Sequence, residues 1–207
     1  MRNQRAFFLV LEGIDGAGTS TQSRILEQHL SLRGLEVVTT NEPWESFYGK
    51  EIRRRLRGES DAMFDGLDFA RLFVADSAIH NERVISPALK ENKIVISDRY
   101  RLSSFAYQTT QEVPYERIMR LHEAEDLAIP NLTIYFDLDV ETALSRGKGS
   151  EKFEQHPFLK KVVENYKTAI ERKLKYVGQV VSIDATKPLD IVSERIFRIF
   201  DDFYYGY

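Results

Sequence analysis

The stretch Phe7-Phe8-Leu9-Val10-Leu11-Glu12-Gly13-Ile14-Asp15-Gly16-Ala17-Gly18-Thr19-Ser20-Thr21-Gln22 decides the fold. Five apolar residues run without a break, as in a strand buried on both faces. Glycines follow at 13, 16 and 18, and a helical pattern then sets Ile25, Leu26, Leu30 and Leu32 on one side. Strand, glycine-rich loop and helix is the layout of a phosphate cradle. The glycines let successive backbone N–H groups turn toward one anion, and the new helix presents its positive end. The template G-x-x-x-x-G-K-[ST] fits Gly13, Gly18 and Ser20. It fails at Thr19, which stands where the lysine belongs.

Four further apolar runs follow: Glu36 to Thr40, Ile94 to Ser97, Leu132 to Phe136 and Gln179 to Ile183. Amphipathic segments are expected from Ser20 to Leu32, Gly49 to Arg57, Asp65 to Lys90, Pro114 to Leu127, Phe158 to Tyr176 and Leu189 to Phe203. Strands alternating with helices predict an α/β fold: a parallel sheet covered on both faces, in one domain over residues 1–207. In such a sheet ligands bind at the carboxyl ends of the strands.

The composition is that of a globular chain, 43% hydrophobic and 29% charged. A net charge of -3 gives no reason to expect nucleic-acid binding. There are no cysteines, so disulfides and cysteine-held metals are excluded. The apolar runs fall far short of the ~20 residues that a membrane helix needs, and no signal-peptide pattern opens the chain. A cytoplasmic protein is expected. The four histidines, His29, His80, His122 and His156, form no metal-spaced cluster.

Chemistry-bearing residues fall just after strands. Arg53, Arg54, Arg55 and Arg57 crowd one short helix after the second strand, either as a solvated face or with one or two reaching an anion. Phe73 lies on an apolar stripe that packs on the sheet or stacks on a planar ligand. Asp98-Arg99-Tyr100 follows the third strand: Asp98 is suited to a metal-bound water, and Arg99 to a two-pronged grip on phosphate, unless the two form a structural ion pair. After the fourth strand, Arg146 opens a glycine- and charge-rich segment to about residue 154, an ordinary surface loop or a lid.

The ordered set Leu11-Glu12-Gly13-Ile14-Asp15-Gly16-Ala17-Gly18, Glu42-Pro43, Leu72-Phe73-Val74-Ala75-Asp76, Asp98-Arg99-Tyr100 with Ser103-Ser104-Phe105-Ala106-Tyr107-Gln108, Pro130 to Asp137 and Phe158 to Val162 resembles the thymidylate kinases. The resemblance spans nearly the whole chain. It implies a three-layer nucleoside monophosphate kinase fold with a five-stranded parallel sheet, a homodimer, and transfer of the terminal phosphoryl group of ATP to dTMP with Mg2+. It also implies roles. Residues Gly13, Ile14, Asp15, Gly16, Ala17, Gly18, Thr19, Ser20 and Thr21 would wrap the ATP phosphates, with Ser20, Asp15 and Asp98 near the metal. Arg99, Arg53 and Asp15 would serve the dTMP phosphate, Glu12 would belong to the dTMP site, and Phe73 would stack on thymine. Ser104 and Tyr107 would line base and sugar, the tyrosine excluding a 2′-hydroxyl. Arg146 would reach the ATP phosphates, and the turn carrying Ala185 and Lys187 would flank adenine.

Three positions depart from that pattern. Thr19 replaces the loop lysine, a charge that Lys148, Lys152 or Arg146 from the lid could supply instead. Ser77 occupies the place of a base-reading arginine. The lid holds Arg146 alone among arginines. Ser77 keeps open a kinase for another deoxynucleoside monophosphate or for a nucleoside. Thr19 keeps open a nucleotide-binding regulatory protein with weak or no catalysis.

Overall fold

The computed structural model describes residues 4–59, 65–146 and 156–206. Five strands form one sheet in the order β2-β3-β1-β4-β5, all parallel: β1 (Phe7–Glu12), β2 (Val37–Asn41), β3 (Ile94–Asp98), β4 (Leu132–Asp137) and β5 (Gln179–Asp184). Each expected strand is present, and four of the five run one residue further at the carboxyl end, to an acidic side chain.

β1 is central and every one of its residues is buried. The pleat sends alternate side chains to opposite faces. Phe7, Leu9 and Leu11 join Ile94, Ile96, Leu132 and Ile134 in the larger core, closed by Leu26 and Leu30 of α1 (Thr19–Leu32) and by Ile196 and Phe200 of α9 (Leu189–Asp201). Phe8 and Val10 face the other way, against Val95, Ile85 and Ala88. This two-sided burial is why the β1 sequence reads as a continuous apolar run.

The segment expected as one helix from Asp65 to Lys90 is in three parts. Asp65 caps α3 (Gly66–His80), its carboxylate accepting from Leu67 N at 2.8 Å. A π-helical turn, Asn81–Ile85, then leads into α4 (Ser86–Lys90). Pro87 has no N–H to bond four residues back, and its ring crowds that carbonyl. Widening the preceding turn relieves both.

Two helices fall where the sequence predicted none. One is α5 (Arg101–Thr110), whose residues were read only as a motif. The other is α7 (Val140–Arg146), whose last residue alone, Arg146, belongs to the expected lid. The remaining helices are α2 (Phe47–Leu56), α6 (Tyr115–Glu123) and α8 (His156–Glu171). Residues 147–154 of the expected lid, with Lys148 and Lys152, lie outside the described residues.

Candidate active site

Leu11 pairs with Asp98 across β1 and β3, so the glycine loop after β1 and the Asp98-Arg99 pair after β3 emerge side by side. The loop curls around a cavity of about 670 Å³. Gly16 (φ 85°) and Gly18 (φ 93°) occupy the left-handed region that glycine alone enters freely. Gly18 is the N-cap of α1 and no side chain caps that helix. Its first N–H groups therefore stay free to meet an anion. At Gly16 a Cβ would overlap the carbonyl of Ala143, so α7 rests directly on the loop.

Thr19 is the first residue of α1 and is 7% exposed. Among the described residues, the cations around the cavity are Arg99, Arg146 and Lys187. Arg146 donates to the carbonyls of Ala185 (2.9 Å) and Thr186 (3.3 Å), and Lys187 pairs with Asp184 at 3.2 Å. Ser20 Oγ donates to Asp98 Oδ2, while Asp98 Oδ1 is buried without a hydrogen-bond partner among the described residues. Asp15, expected beside these two, instead pairs with Arg99 at 2.7 Å.

A second cavity, of about 210 Å³, opens on the other side of that ion pair. Asp15 and Arg99 line both cavities. Arg99 takes up a left-handed conformation (φ 70°), with its N–H donating to Leu11 O at 2.8 Å. Its guanidinium lies 5.1 Å from the Tyr107 ring centroid. Burial works against its charge, yet Tyr107, Asp15, Tyr166 and Asp98 hold its pKa well above the ordinary value. Burial pushes the Tyr107 phenol up, so the hydroxyl stays protonated 3.5 Å from Asp15 Oδ2.

Arg53 is the arginine of its helix that reaches this cavity. It donates to Pro43 O, to Trp44 O (3.1 Å) and to Glu45 (2.9 Å). Arg54 and Arg55 pair with Glu51, and Arg57 with Glu59. Phe73 lines the cavity, edge-to-face with Phe69 at 5.1 Å.

Three expected acceptor-site residues do not line it. Ser77 is buried and donates to Glu42 Oε2 at 2.8 Å; Glu42 Oε1 meets His80 Nδ1 at 3.0 Å. Ser104 turns inward and is buried, because α5 presents Ser103, one residue earlier, to the cavity. Glu12 lies beneath the wall with no exposed surface. It accepts from Tyr100 N (2.9 Å), Ser103 N (3.2 Å), Ser103 Oγ (2.5 Å) and Tyr166 OH (3.0 Å). Burial pushes its carboxyl up to about 7, against these hydrogen bonds and Arg99. The sequence reading missed Phe69, Gln111 and Tyr166. A helical period through Tyr100, Ser103, Tyr107 and Gln111 was the available signal for the second of these.

The family model for thymidylate kinase matches residues 11–196. A probable thymidylate kinase of Thermococcus onnurineus is 40% identical over 190 residues, covering 86% of this chain and 91% of its own length. One of Staphylothermus marinus is 34% identical and covers 96% of both chains. A thymidylate kinase of Clostridium novyi is 33% identical, covering 91% and 95%. With a match over nearly the full sheet and both cavities, the chain belongs to the thymidylate kinase family.

Proposed function

We infer that this chain transfers the terminal phosphoryl group of ATP to dTMP, giving ADP and dTDP. The carrying observation is that the two cavities share one wall, the Asp15–Arg99 pair. Two nucleotides bound on either side would bring their phosphates together at one arginine. Holding donor and acceptor in line is most of what phosphoryl transfer requires of a protein.

The free N–H groups of α1 and the loop backbone bind the donor phosphates. The acceptor phosphate enters beside Arg99, which exchanges Asp15 for a phosphate oxygen and neutralises charge on the transferred group. An acceptor oxygen attacks the terminal phosphorus of ATP as the bond to the bridging oxygen of ADP breaks. Tyr107 packs against the deoxyribose and Phe73 against the base. Ser20 and Asp98 would hold Mg2+. A hydroxyl and one carboxylate with an unpartnered oxygen suit an ion that takes its other ligands from water and phosphate. The ion supplies further charge neutralisation on the donor phosphates. Among the described residues no larger acidic or histidine cluster stands ready for a metal. A lid beginning at Arg146 is part of the proposal, as are homodimerisation and a cytoplasmic location, which rest on the family resemblance.

The test is ADP release from ATP and Mg2+ with dTMP, dUMP, dCMP, dGMP and thymidine in turn. Strong stimulation by dTMP supports the reading, and none by any acceptor overturns it. A second reading, a kinase of wider pyrimidine range, is favoured by Ser77: it is spent on Glu42 and offers the base no charged donor.

A further inference from the structure

Glu12 ends β1, one residue before the phosphate loop, and has no exposed surface. Its Oε1 accepts from Tyr100 N and Ser103 N, and its Oε2 from Ser103 Oγ and Tyr166 OH. A carboxylate has about four lone-pair sites, so the ionised group is filled. The neutral group fits the same cluster with its hydrogens turned round. Oε1 keeps both backbone donors, and the start of α5 stays capped. Oε2–H then donates to Ser103 Oγ. The Ser103 hydrogen passes to Tyr166 OH at 2.9 Å, and the Tyr166 hydrogen to Gly13 O at 3.4 Å. Either protonation state is satisfied with every heavy atom in place.

The choice between the two states falls to Arg99. Its Nη1 lies 3.5 Å from Ser103 Oγ, so one hydroxyl separates the guanidinium from the Glu12 carboxylate. Three phenols interact with Glu12 from other elements: Tyr107 of α5, Tyr135 of β4 and Tyr166 of α8. Burial pushes all three up, so they stay neutral. Burial also pushes Glu12 up to about 7, while the Ser103 hydroxyl, the Arg99 charge and the two backbone donors pull the other way. Arg99 divides its charge among Glu12, Asp15 and Asp98. A phosphate dianion arriving at Arg99 would take up that charge and add its own, and a nearby like charge favours the neutral carboxyl.

Resting on the kinase reading above, we propose that acceptor binding is coupled to protonation of Glu12: as the phosphate of dTMP reaches Arg99, Glu12 Oε2 takes a proton from solvent, and the buried carboxyl ceases to oppose the phosphate while α5 stays capped. Glu12 is then a positioning residue. It acts through Tyr100 N and Ser103 and does not touch the substrate. Glutamine is the neutral form made permanent. Its oxygen accepts from the two backbone donors, and its nitrogen donates to Ser103 Oγ and Tyr166 OH.

Binding of dTMP is measured by calorimetry without ATP, in buffers of differing ionisation heat, on the unsubstituted chain and on Glu12→Gln. The heats give the protons exchanged, a readout apart from turnover. At pH 7 the unsubstituted chain is expected to take up about half a proton more than the variant, which keeps any proton that the phosphate itself exchanges. Between pH 7 and 9 its affinity for dTMP should fall about tenfold, because the empty protein releases a proton that the complex retains. The affinity of Glu12→Gln should stay flat and exceed the parent's at pH 9. A purely structural Glu12 would instead make the variant the weaker binder at every pH. That result, or equal proton counts in the two chains, overturns the proposal and leaves the kinase reading in place. Failure of the unsubstituted chain to bind dTMP at all overturns both. Should Glu12→Gln not fold, the unsubstituted chain carries the test through carboxyl-carbon NMR with labelled glutamate. The resonance that titrates near pH 7 should move its midpoint upward on adding dTMP, and a fixed midpoint overturns the coupling.

Discussion

Arg99 lines both cavities and is one of the non-glycine residues with a left-handed backbone. A left-handed conformation at a non-glycine residue costs about 1–3 kcal/mol and persists only where its surroundings fix it. Here the N–H is bonded to Leu11 O and the guanidinium is held between Asp15 and the Tyr107 ring. The strain aims a flat, forked cation at the wall between the two cavities. Lysine would keep the charge and lose the fork. Arg99→Lys is expected to lower kcat/KM for dTMP by about 10²–10³ while ATP affinity and melting temperature stay close to the parent. Steady-state kinetics with a thermal melt check this, and a loss under tenfold would remove Arg99 from the transfer step.

At the scale of elements, the sheet and its cavities were legible because they are local patterns. A two-sided strand reads as an apolar run, and the phosphate loop reads as spaced glycines. Helix α5 was not legible for a stated physical reason. Its start has no side-chain cap of its own. Glu12, 88 residues away in sequence, does the capping through Tyr100 N and Ser103 N. No local signal records a cap that arrives from another strand. The start of α7, by contrast, was written in the sequence and passed over: Asp139 accepts from Thr142 N (2.7 Å) and Thr142 Oγ1 (2.8 Å). The Ser104-for-Ser103 difference has the same origin as α5, since the facing of a helix depends on where it begins. The contact of α7 with the phosphate loop yields a further prediction. Gly16→Ala is expected to cost about 2 kcal/mol or more and to weaken ATP binding at least tenfold, because the methyl would displace Ala143 as well as strain the backbone. Gly34→Ala is the control, with a left-handed φ of 78° but open space around it, and should cost only about 1 kcal/mol. Urea denaturation and an ATP titration separate the two. Equal effects would mean that the loop does not bear on α7.

Across the whole molecule, two buried groups set opposing responses to acid. Glu12 titrates at about 7 in the fold against an ordinary 4.5, chiefly through burial. Between those values the folded chain keeps a proton that the unfolded chain has released, so acidification stabilises the fold. His122 is buried without a partner among the described residues, and burial, with Arg101 adding to it, pushes it down to about 3. Below its ordinary 6.5 the unfolded chain takes a proton that the folded chain refuses, so acidification destabilises. From pH 7.5 to 5 each effect amounts to about 2 kcal/mol, and they nearly cancel. Glu12→Gln should therefore lose about 2 kcal/mol over that range and His122→Phe should gain about as much, as measured by urea denaturation at the two pH values. A Glu12→Gln variant as flat as the parent would exclude a raised Glu12.

The Asp15–Arg99 pair has a consequence for the resting enzyme. The arginine proposed to take the acceptor phosphate is already paired with an anion, and that anion is part of the protein. Chloride, bicarbonate or a stray carboxylate must displace a tethered rival that competes within the same molecule. A phosphate dianion, with more charge and more oxygens to offer the fork, is better equipped to win the exchange. Under the proposed function Asp15 would work as a built-in threshold, setting how strong an anion must be before Arg99 exchanges partners.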